Sequence, residues 1–268
     1  MTIAPNRATV VGGHGFIGAA LVTRLRDAGT EVVIPERGAV PLSSAGHVFF
    51  CAGLTADFRV RLHDTMATHV ALAQVWLAES RFQSFTYLSS TRVYAGQSSG
   101  REETRIAVDP ADASDFYNIS KLAGEALVLT DPRPTARVVR LSNIFGASDR
   151  SDNFLTSVVG DAVTRQRVHI GTGASAAKDY LAVEDAVEAI TRMPLRAESR
   201  LVNVASGTST DNATIGAALA ERTGAQITYG TASTIGFPTI DIARMRGELG
   251  IEPEDFRSSF ARMLRAAA

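Results

Sequence analysis

Short apolar runs alternate along the first 150 residues with longer segments in which apolar positions recur every three or four residues. The short runs are typical of buried strands, and the longer segments are typical of helices with one apolar face. The predicted strands are residues 8–11, 31–34, 47–51, 84–89 and 137–141. The predicted helices are residues 16–28, 62–80 and a segment around Tyr117 that ends near Thr130. Buried strands that alternate with helices predict an α/β fold with a Rossmann-type, doubly wound parallel sheet.

The pattern becomes less regular after Gly146. Helices are predicted at residues 153–166, 183–193, 214–223, 240–249 and 258–267, and short extended pieces at 167–170, 178–183 and 201–204. We interpret residues 1–150, completed by parts of 178–205, as a dinucleotide-binding domain. Residues 151–268 are interpreted as a small substrate-binding lobe that is interleaved with this domain.

The composition is that of a soluble globular protein: 45% of the 268 residues are hydrophobic, 21% are charged and the formal net charge is −1. We therefore expect neither a nucleic-acid partner nor a membrane partner. The lone Cys51 forms no internal disulfide, and the start of the chain lacks a signal-peptide pattern, so we expect a cytoplasmic protein. The histidines lack metal-ligand spacing, and we expect no metal site.

A glycine-rich loop with the sequence Gly12-Gly-His-Gly15-Phe-Ile-Gly18 follows the first predicted strand. Glycines at these positions permit a tight turn and a close approach of the backbone to a pyrophosphate. The next helix begins at Phe16 and Ile17, and its free N–H groups and dipole favour phosphate binding. This strand, loop and helix together predict a dinucleotide cofactor.

Glu36 and Arg37 follow the second predicted strand, about 20 residues after the glycine loop. A carboxylate at this point accepts a hydrogen bond from the adenosine ribose and repels a 2′-phosphate, which favours NAD. Arg37 could instead pair with that phosphate, so NADP stays the alternative.

Tyr117 and Lys121 are one helical turn apart, so the phenol and the ammonium lie on one face of a predicted helix. An ammonium close to a phenol favours phenolate and is expected to lower the pKa of Tyr117 toward neutral pH. Ser89, Ser90 and Thr91 lie at the carboxyl end of a predicted strand, where ligands bind in open α/β sheets. A hydroxyl there can hold the substrate oxygen with which Tyr117 exchanges a proton. With the glycine loop, these residues predict a hydride-transfer enzyme.

These motifs resemble the extended short-chain dehydrogenase/reductase family, in particular its NAD-dependent epimerase/dehydratase branch, which acts on sugar nucleotides. The resemblance extends over nearly the whole chain. It implies that Ser90 supplies the catalytic hydroxyl, that Tyr117 carries the proton and that Lys121 also binds the nicotinamide ribose. It further implies cofactor contacts by one backbone segment and substrate contacts by four side chains. The segment is Cys51, Ala52 and Gly53, and the side chains are Thr91, Tyr94, Asn143 and Lys178.

The resemblance also implies a homodimer, in which two helices of each subunit, here about 62–80 and 116–130, form a four-helix interface. The predicted outer faces of these helices include Val75, Trp76, Leu122, Ala126 and Leu129. The same residues would also suit an intramolecular core.

Several positions depart from the family pattern. Too few residues follow Arg37 for the usual third strand and its flanking helix, so we expect that strand to be absent. His69 replaces a common asparagine, and Lys178 replaces a usual arginine, which exchanges a two-pronged donor for a point charge. The Thr91-Arg92 pair lacks the acidic groups that a 4,6-dehydratase uses, which disfavours that branch.

We therefore hypothesise an enzyme that transfers hydride at a ring carbon, C4, of a nucleotide sugar, as an epimerase or as a 4-ketoreductase. One alternative is a dehydrogenase or reductase of another small or hydrophobic alcohol, which would have no use for Asn143 and Lys178. The other alternative is a non-catalytic regulator that senses a dinucleotide, which would lack the set of Ser90, Tyr117 and Lys121.

Overall fold

The computed structural model describes residues 5–54, 58–147, 153–232 and 236–267. Its strands are β1 (Arg7–Val11), β2 (Glu31–Val33), β3 (Gly46–Phe50), β4 (Phe82–Ser90), β5 (Ala136–Leu141), β6 (Asn143–Phe145), β7 (Arg167–Thr172), β8 (Ala177–Ala182), β9 (Leu201–Val204), β10 (Ser209–Asp211) and β11 (Gln226–Ala232). Its α-helices are α1 (Phe16–Asp27), α2 (Leu62–Met66), α3 (Ala73–Glu79), α4 (Asp115–Thr130), α5 (Phe154–Arg165), α6 (Val183–Arg196), α7 (Asn212–Thr223) and α8 (Phe256–Ala267). Three other helical segments are a π-helix that joins α2 to α3 (Ala67–Leu72), a 3-10 turn after β4 (Thr91–Tyr94) and a π-helical turn (Met245–Leu249).

Six strands form one parallel sheet in the order β2-β1-β3-β4-β5-β9. Successive residues of a strand face opposite sides of a sheet. Accordingly, Val10 and Phe49 belong to one apolar core, whereas Val11 and Phe50 belong to another. Burial on both faces explains why these strands are continuous apolar runs. The predicted α/β class with a parallel sheet is confirmed.

Helices cover both faces of this sheet. On one face α1 contacts α6, and Leu21 and Ile190 are buried between these helices and the strands. On the other face α3 contacts α4, and Trp76 and Val128 are buried there. Trp76 is only 1% exposed, so of the two roles that its sequence position allows, an outer dimer face or an intramolecular core, it has the second.

The remaining elements surround a separate core. The small sheets β10-β8-β6 and β11-β7 pack with α5, α7 and α8 around Leu155, Ile215 and Phe260. The sequence pattern does not predict β6, β10 or β11. The first two have three residues each, and β11 is mostly exposed, so none of them has a strong apolar signal.

Two further segments, residues 240–249 and 34–45, can be compared with the elements predicted from the sequence. The helix predicted over residues 240–249 is shorter, because Ile240 instead pairs with Gly100 in an isolated β-bridge. Residues 34–45 form neither helix nor strand, and β2 is the edge strand of the six-stranded sheet. None of the helices in the described ranges is long and apolar enough to cross a membrane.

Candidate active site

Two of the loop glycines are required because the backbone packs closely around them. Gly12 has a φ of +84°, and a Cβ on it would lie 2.7 Å from the backbone nitrogen of Ala52. A Cβ on Gly18 would lie 2.2 Å from the carbonyl oxygen of Gly12. Any larger residue at these two positions would separate the loop from α1 and from the segment that follows β3.

The amino terminus of α1 lies at a cavity of about 600 Å³. Gly15, Phe16, Ile17 and Gly18 line the cavity wall, and Gly15 caps the helix without a side-chain acceptor. The N–H groups of the first turn are therefore left without a side-chain cap, and the helix dipole adds to their attraction for an anion. A glycine cradle of this kind fits the pyrophosphate of a dinucleotide.

Glu36 and Arg37 lie beyond the end of β2, where both are exposed. Neither residue is among those that line the cavity. Their contacts with the adenosine end of a cofactor stay a prediction.

The segment that follows β3 forms part of the same wall. Cys51 and Gly53 line the cavity, and Ala52 packs behind the glycine loop. Burial raises the pKa of the Cys51 thiol to about 12, so the thiol stays protonated and is not a nucleophile at neutral pH. A Cβ on Gly53 would lie 3.3 Å from Nζ of Lys121, which places this segment next to α4.

Ser90 and Tyr117 meet in the cavity wall. Ser90 is the last residue of β4, and Tyr117 lies in the first turn of α4. Both residues line the cavity, where the Ser90 hydroxyl acts to lower the pKa of the Tyr117 phenol, and Ser90 Oγ accepts a hydrogen bond from the backbone N–H of Arg92 at 3.1 Å. Two hydroxyls from separate elements therefore converge where one substrate oxygen can contact both.

Lys121 lies one turn further along α4 and also lines the cavity. Its Nζ donates a hydrogen bond to the carbonyl oxygen of Leu88 at 3.0 Å and is 5.9 Å from the ring centre of Tyr117. Burial lowers the pKa of Lys121 to about 8. The ammonium form therefore still predominates at neutral pH.

The pKa of Tyr117 differs from the sequence-based expectation. Burial raises this pKa to about 12, and the Ser90 hydroxyl and the charge of Arg92 act in the opposite direction. The predicted lowering by Lys121 is not observed, because desolvation of the phenol outweighs the nearby charges and the ammonium bonds to Leu88. Arg92 is the cation that favours the phenolate here.

Asn143 and Lys178 line the cavity from the small sheet, on β6 and β8. The Nδ2 of Asn143 donates to the carbonyl oxygen of Asp179 at 2.7 Å, which fixes the orientation of the amide. Burial and the charge of Arg92 lower the pKa of Lys178. Thr91 lines the same cavity.

Tyr94 is not part of the cavity and is fully buried. Its hydroxyl donates to Oδ1 of Asn203 at 2.9 Å and accepts from Nη1 of Arg140 at 2.8 Å. Arg140 in turn forms an ion pair with Glu125. The 3-10 turn after Ser90 thus directs Tyr94 into the core, and Tyr94 is a structural residue in place of the substrate contact predicted for it.

The cavity wall also contains side chains that the motifs do not identify as site residues. These are Phe58, Arg92, Phe154 and Phe237 among others. The sequence signal for Arg92 is its position directly after the Ser90-Thr91 pair. The aromatic residues lie in segments without a motif, and only the folded chain brings them to the cavity.

His69 is fully buried beside Tyr117, with 5.5 Å between the ring centres. Its Nε2 accepts a hydrogen bond from the Leu54 backbone N–H at 3.1 Å. Nδ1 therefore carries the proton and donates to Oγ of Ser120 at 2.8 Å. The imidazole connects the segment after β3 with the helix that carries Tyr117.

The sequence matches the family model described as the NAD dependent epimerase/dehydratase family over residues 8–75 and 47–205. It has no match among curated protein sequences. Similar solved structures include MoeE5 in complex with UDP-glucuronic acid and NAD. MoeE5 is 22% identical to this chain with a TM-score of 0.82, and the match covers 97% of this chain and 98% of the MoeE5 chain. Another is TunA, described as an NAD dependent NDP-hexosamine 5,6-dehydratase (18% identical, TM-score 0.85, 97% of each chain). A third is a UDP-glucose 4-epimerase from Thermotoga maritima (19% identical, TM-score 0.79, 97% of this chain and 98% of that chain).

Proposed function

We propose that this chain, which belongs to the NAD dependent epimerase/dehydratase family, transfers hydride at a ring carbon, C4, of a nucleotide sugar. The observation that carries this proposal is the convergence of Ser90, Tyr117 and Lys121 in the wall of one cavity with the amino terminus of α1. NAD, when bound, takes a hydride from the substrate carbon and can return it.

Each residue of the catalytic set has one role. Tyr117 accepts the proton of the sugar hydroxyl during oxidation and returns it during reduction, while Ser90 holds the same oxygen. Lys121 contributes positive charge and hydrogen-bond donors for the nicotinamide ribose. Because burial holds the pKa of Tyr117 near 12, ionisation of the phenol depends on nearby cations, and Arg92 is one that lowers this pKa.

The cofactor-binding roles fall on backbone groups. The first turn of α1, from Gly15 to Gly18, would hold the pyrophosphate, and the segment from Cys51 to Gly53 would flank the nicotinamide ribose. Glu36 would accept a hydrogen bond from the adenosine ribose, which favours NAD over NADP.

A nucleotide sugar is supported as the substrate because Asn143 and Lys178 bring a hydrogen-bond donor and a positive charge to the cavity that holds Tyr117. Such groups suit a diphosphate. The similar MoeE5 and Thermotoga maritima structures contain UDP-glucuronic acid and UDP-glucose, respectively. An enzyme for a hydrophobic alcohol would leave the Lys178 charge without a use, and a non-catalytic sensor would need no Ser90–Tyr117 pair.

The test is turnover of nucleotide sugars by the purified protein with added NAD, followed by chromatography of the products and by absorbance of NADH. Tyr117→Phe should lower kcat/KM about 10³-fold, because the proton carrier is lost, and should keep NAD binding. Tyr229→Phe, a change of the same kind at a half-exposed tyrosine outside the cavity, should keep full activity. Unchanged activity in Tyr117→Phe would overturn the assignment.

Mass spectrometry of the nucleotide released by denaturation would separate the two reaction types. Near-stoichiometric NAD supports an epimerase, which recycles its cofactor in place. Protein without nucleotide supports a 4-ketoreductase or dehydrogenase, which exchanges its cofactor at each turnover. Released NADP would contradict the role given to Glu36.

We also propose that the protein is a cytoplasmic homodimer. Val75 on α3 is 39% exposed and Ala126 on α4 is exposed, so these two contacting helices retain a face that a second copy could cover. A monomer in sedimentation equilibrium would contradict the dimer.

The single cysteine, Cys51, supports a reducing compartment and thus the cytoplasmic location. Recovery of the protein outside the cytoplasmic fraction would contradict that location.

A further inference from the structure

The wall of the active-site cavity is positively charged. Among the described residues that line it, the charged side chains are Arg92, Lys121 and Lys178, and none is a carboxylate. The whole chain has a net charge of only −1, so this charge is a local property of the cavity. The cavity therefore favours an anionic ligand.

Arg92 lies at the reacting end of the cavity. It follows Ser90 by two residues, and its backbone N–H donates to Oγ of Ser90 at 3.1 Å. Its guanidinium is close enough to Tyr117 to act on the pKa of the phenol. Lys178 and Asn143 enter the cavity from a different sheet. Arg92 is thus placed to meet a substituent next to the reacting carbon.

The guanidinium of Arg92 retains hydrogen-bonding capacity. Its Nη2 donates to the carbonyl oxygen of Ser114 at 3.2 Å, and its Nε is buried without a hydrogen-bond partner. Its centre lies 5.6 Å from the ring centre of Phe58. No ion pair joins Arg92 to a carboxylate in the part of the chain that the structure describes.

We propose that Arg92 binds a carboxylate on the sugar, so that the substrate is a nucleotide-linked acidic sugar. This inference rests on the proposed function, because it places the reacting C4 at Ser90 and Tyr117. In a hexose, C6 is the exocyclic carbon attached to the ring neighbour of C4, and a carboxyl group at C6 is ionised at neutral pH. A guanidinium matches a carboxylate with two parallel hydrogen bonds, whereas a hydroxymethyl group offers it a single neutral acceptor.

The competing role for Arg92 is a contact with the substrate diphosphate, together with Lys178. The two roles differ in a measurable way. A contact with the diphosphate would strengthen the binding of every nucleotide sugar equally, whereas a contact with the sugar carboxylate would strengthen only the binding of acidic sugars.

Binding to NAD-saturated protein is measured by calorimetry with two matched pairs of ligands. The pairs are UDP-glucuronate with UDP-glucose, and GDP-mannuronate with GDP-mannose, so that each comparison holds the nucleotide constant. In the pair that binds better, the wild type should bind the acidic sugar about 10- to 100-fold more tightly than the neutral sugar, as is typical for a charged hydrogen-bonded contact. Arg92→Gln should reduce this preference to about onefold.

Arg59→Gln is the control, because Arg59 stacks on Phe58 at 4.5 Å but does not line the cavity. This variant should keep the preference of the wild type for the acidic sugar. NAD affinity and the circular dichroism spectrum show whether each variant is folded.

Two results would overturn the inference and leave the proposed function standing. One is a wild type that binds neutral sugars as tightly as acidic ones, and the other is an Arg92→Gln variant that loses equal affinity for both members of a pair. If the wild type binds none of the four and also turns over no nucleotide sugar with added NAD, the proposed function fails and the inference fails with it.

Discussion

Lys121 and Arg140 are both 4% exposed, yet the two cations have opposite surroundings. Arg140 forms a two-pronged ion pair with Glu125, with Nη2–Oε2 at 2.6 Å and Nε–Oε1 at 2.9 Å, and it also donates to Tyr94. Lys121 donates to the carbonyl oxygen of Leu88, and no carboxylate within the described ranges pairs with it. Burial lowers the pKa of Lys121, whereas the contacts with Glu125 outweigh burial and raise the pKa of Arg140.

This difference separates a charge that stabilises the core from a charge that is kept for a ligand. The partners of Arg140 come from the protein itself, so the buried network behind the cavity is satisfied before any ligand binds. Lys121 retains donors for the cofactor, and its burial opposes folding because desolvation of the ammonium outweighs the favourable charge of Glu125. The contrast can be tested by changing each side separately.

The largest effect on stability is expected for Glu125→Gln. The change leaves the buried Arg140 guanidinium without its counter-charge and should lower the free energy of unfolding by about 3–5 kcal/mol, as measured by urea denaturation. The exposed pair of Arg165 and Asp161 is the control, and Asp161→Asn should change stability by less than about 1 kcal/mol. Equal effects of the two substitutions would remove the distinction between the core and the surface pair.

Lys121→Met should change the free energy of unfolding in the opposite direction to Glu125→Gln, so that the ligand-free protein becomes more stable. Because the folded-state pKa of about 8 lies below the ordinary value of 10.5, the folded protein releases this proton before the unfolded chain does. The free energy of unfolding of the ligand-free wild type should therefore gain up to about 3 kcal/mol between pH 8 and pH 10.5 from this group. Urea denaturation across this range should show that contribution in the wild type and not in Lys121→Met. Parallel curves for the two proteins would contradict the lowered pKa.

Tyr94→Phe should have the smallest effect of the three. The change removes the hydroxyl between Arg140 and Asn203 and should lower the free energy of unfolding by about 1–3 kcal/mol, because two buried polar groups lose a partner. The activity of the folded fraction should be retained, in contrast to Tyr117→Phe. A Tyr94→Phe variant that is stable but inactive would return Tyr94 to the substrate-binding site.

The sequence predicted those features of the fold and the site that depend on residues close together in the chain. The glycine loop and α1 depend on residues that are near in the chain, and the same is true of the one-turn spacing of Tyr117 and Lys121. Strands inside the central sheet, such as β1 and β3, contain apolar runs because both sheet faces are covered there. These features predict the α/β fold, the family and the convergence of Ser90 with Tyr117.

Features that depend on distant partners were not predictable. Tyr94 has the same strand-end context as Thr91, but its hydroxyl finds Asn203, 109 residues further along the chain. Ile240 leaves the predicted helix because it pairs with Gly100. The pKa of Tyr117 depends on how completely the fold excludes water from the phenol, which the spacing to Lys121 does not reveal.

The hydrogen bonds of His69 also have a mechanical consequence. The imidazole holds the Leu54 backbone on one side and Ser120 on the other, and the Ser120 hydroxyl donates to the carbonyl oxygen of Tyr117 at 2.7 Å. One imidazole thereby connects the loop next to the cofactor cradle with the helix turn that carries the phenol. A displacement of either segment is therefore expected to move the other. Burial lowers the pKa of His69 to about 3, so the imidazole stays neutral, and this connection is unchanged, from mildly acidic to alkaline solution.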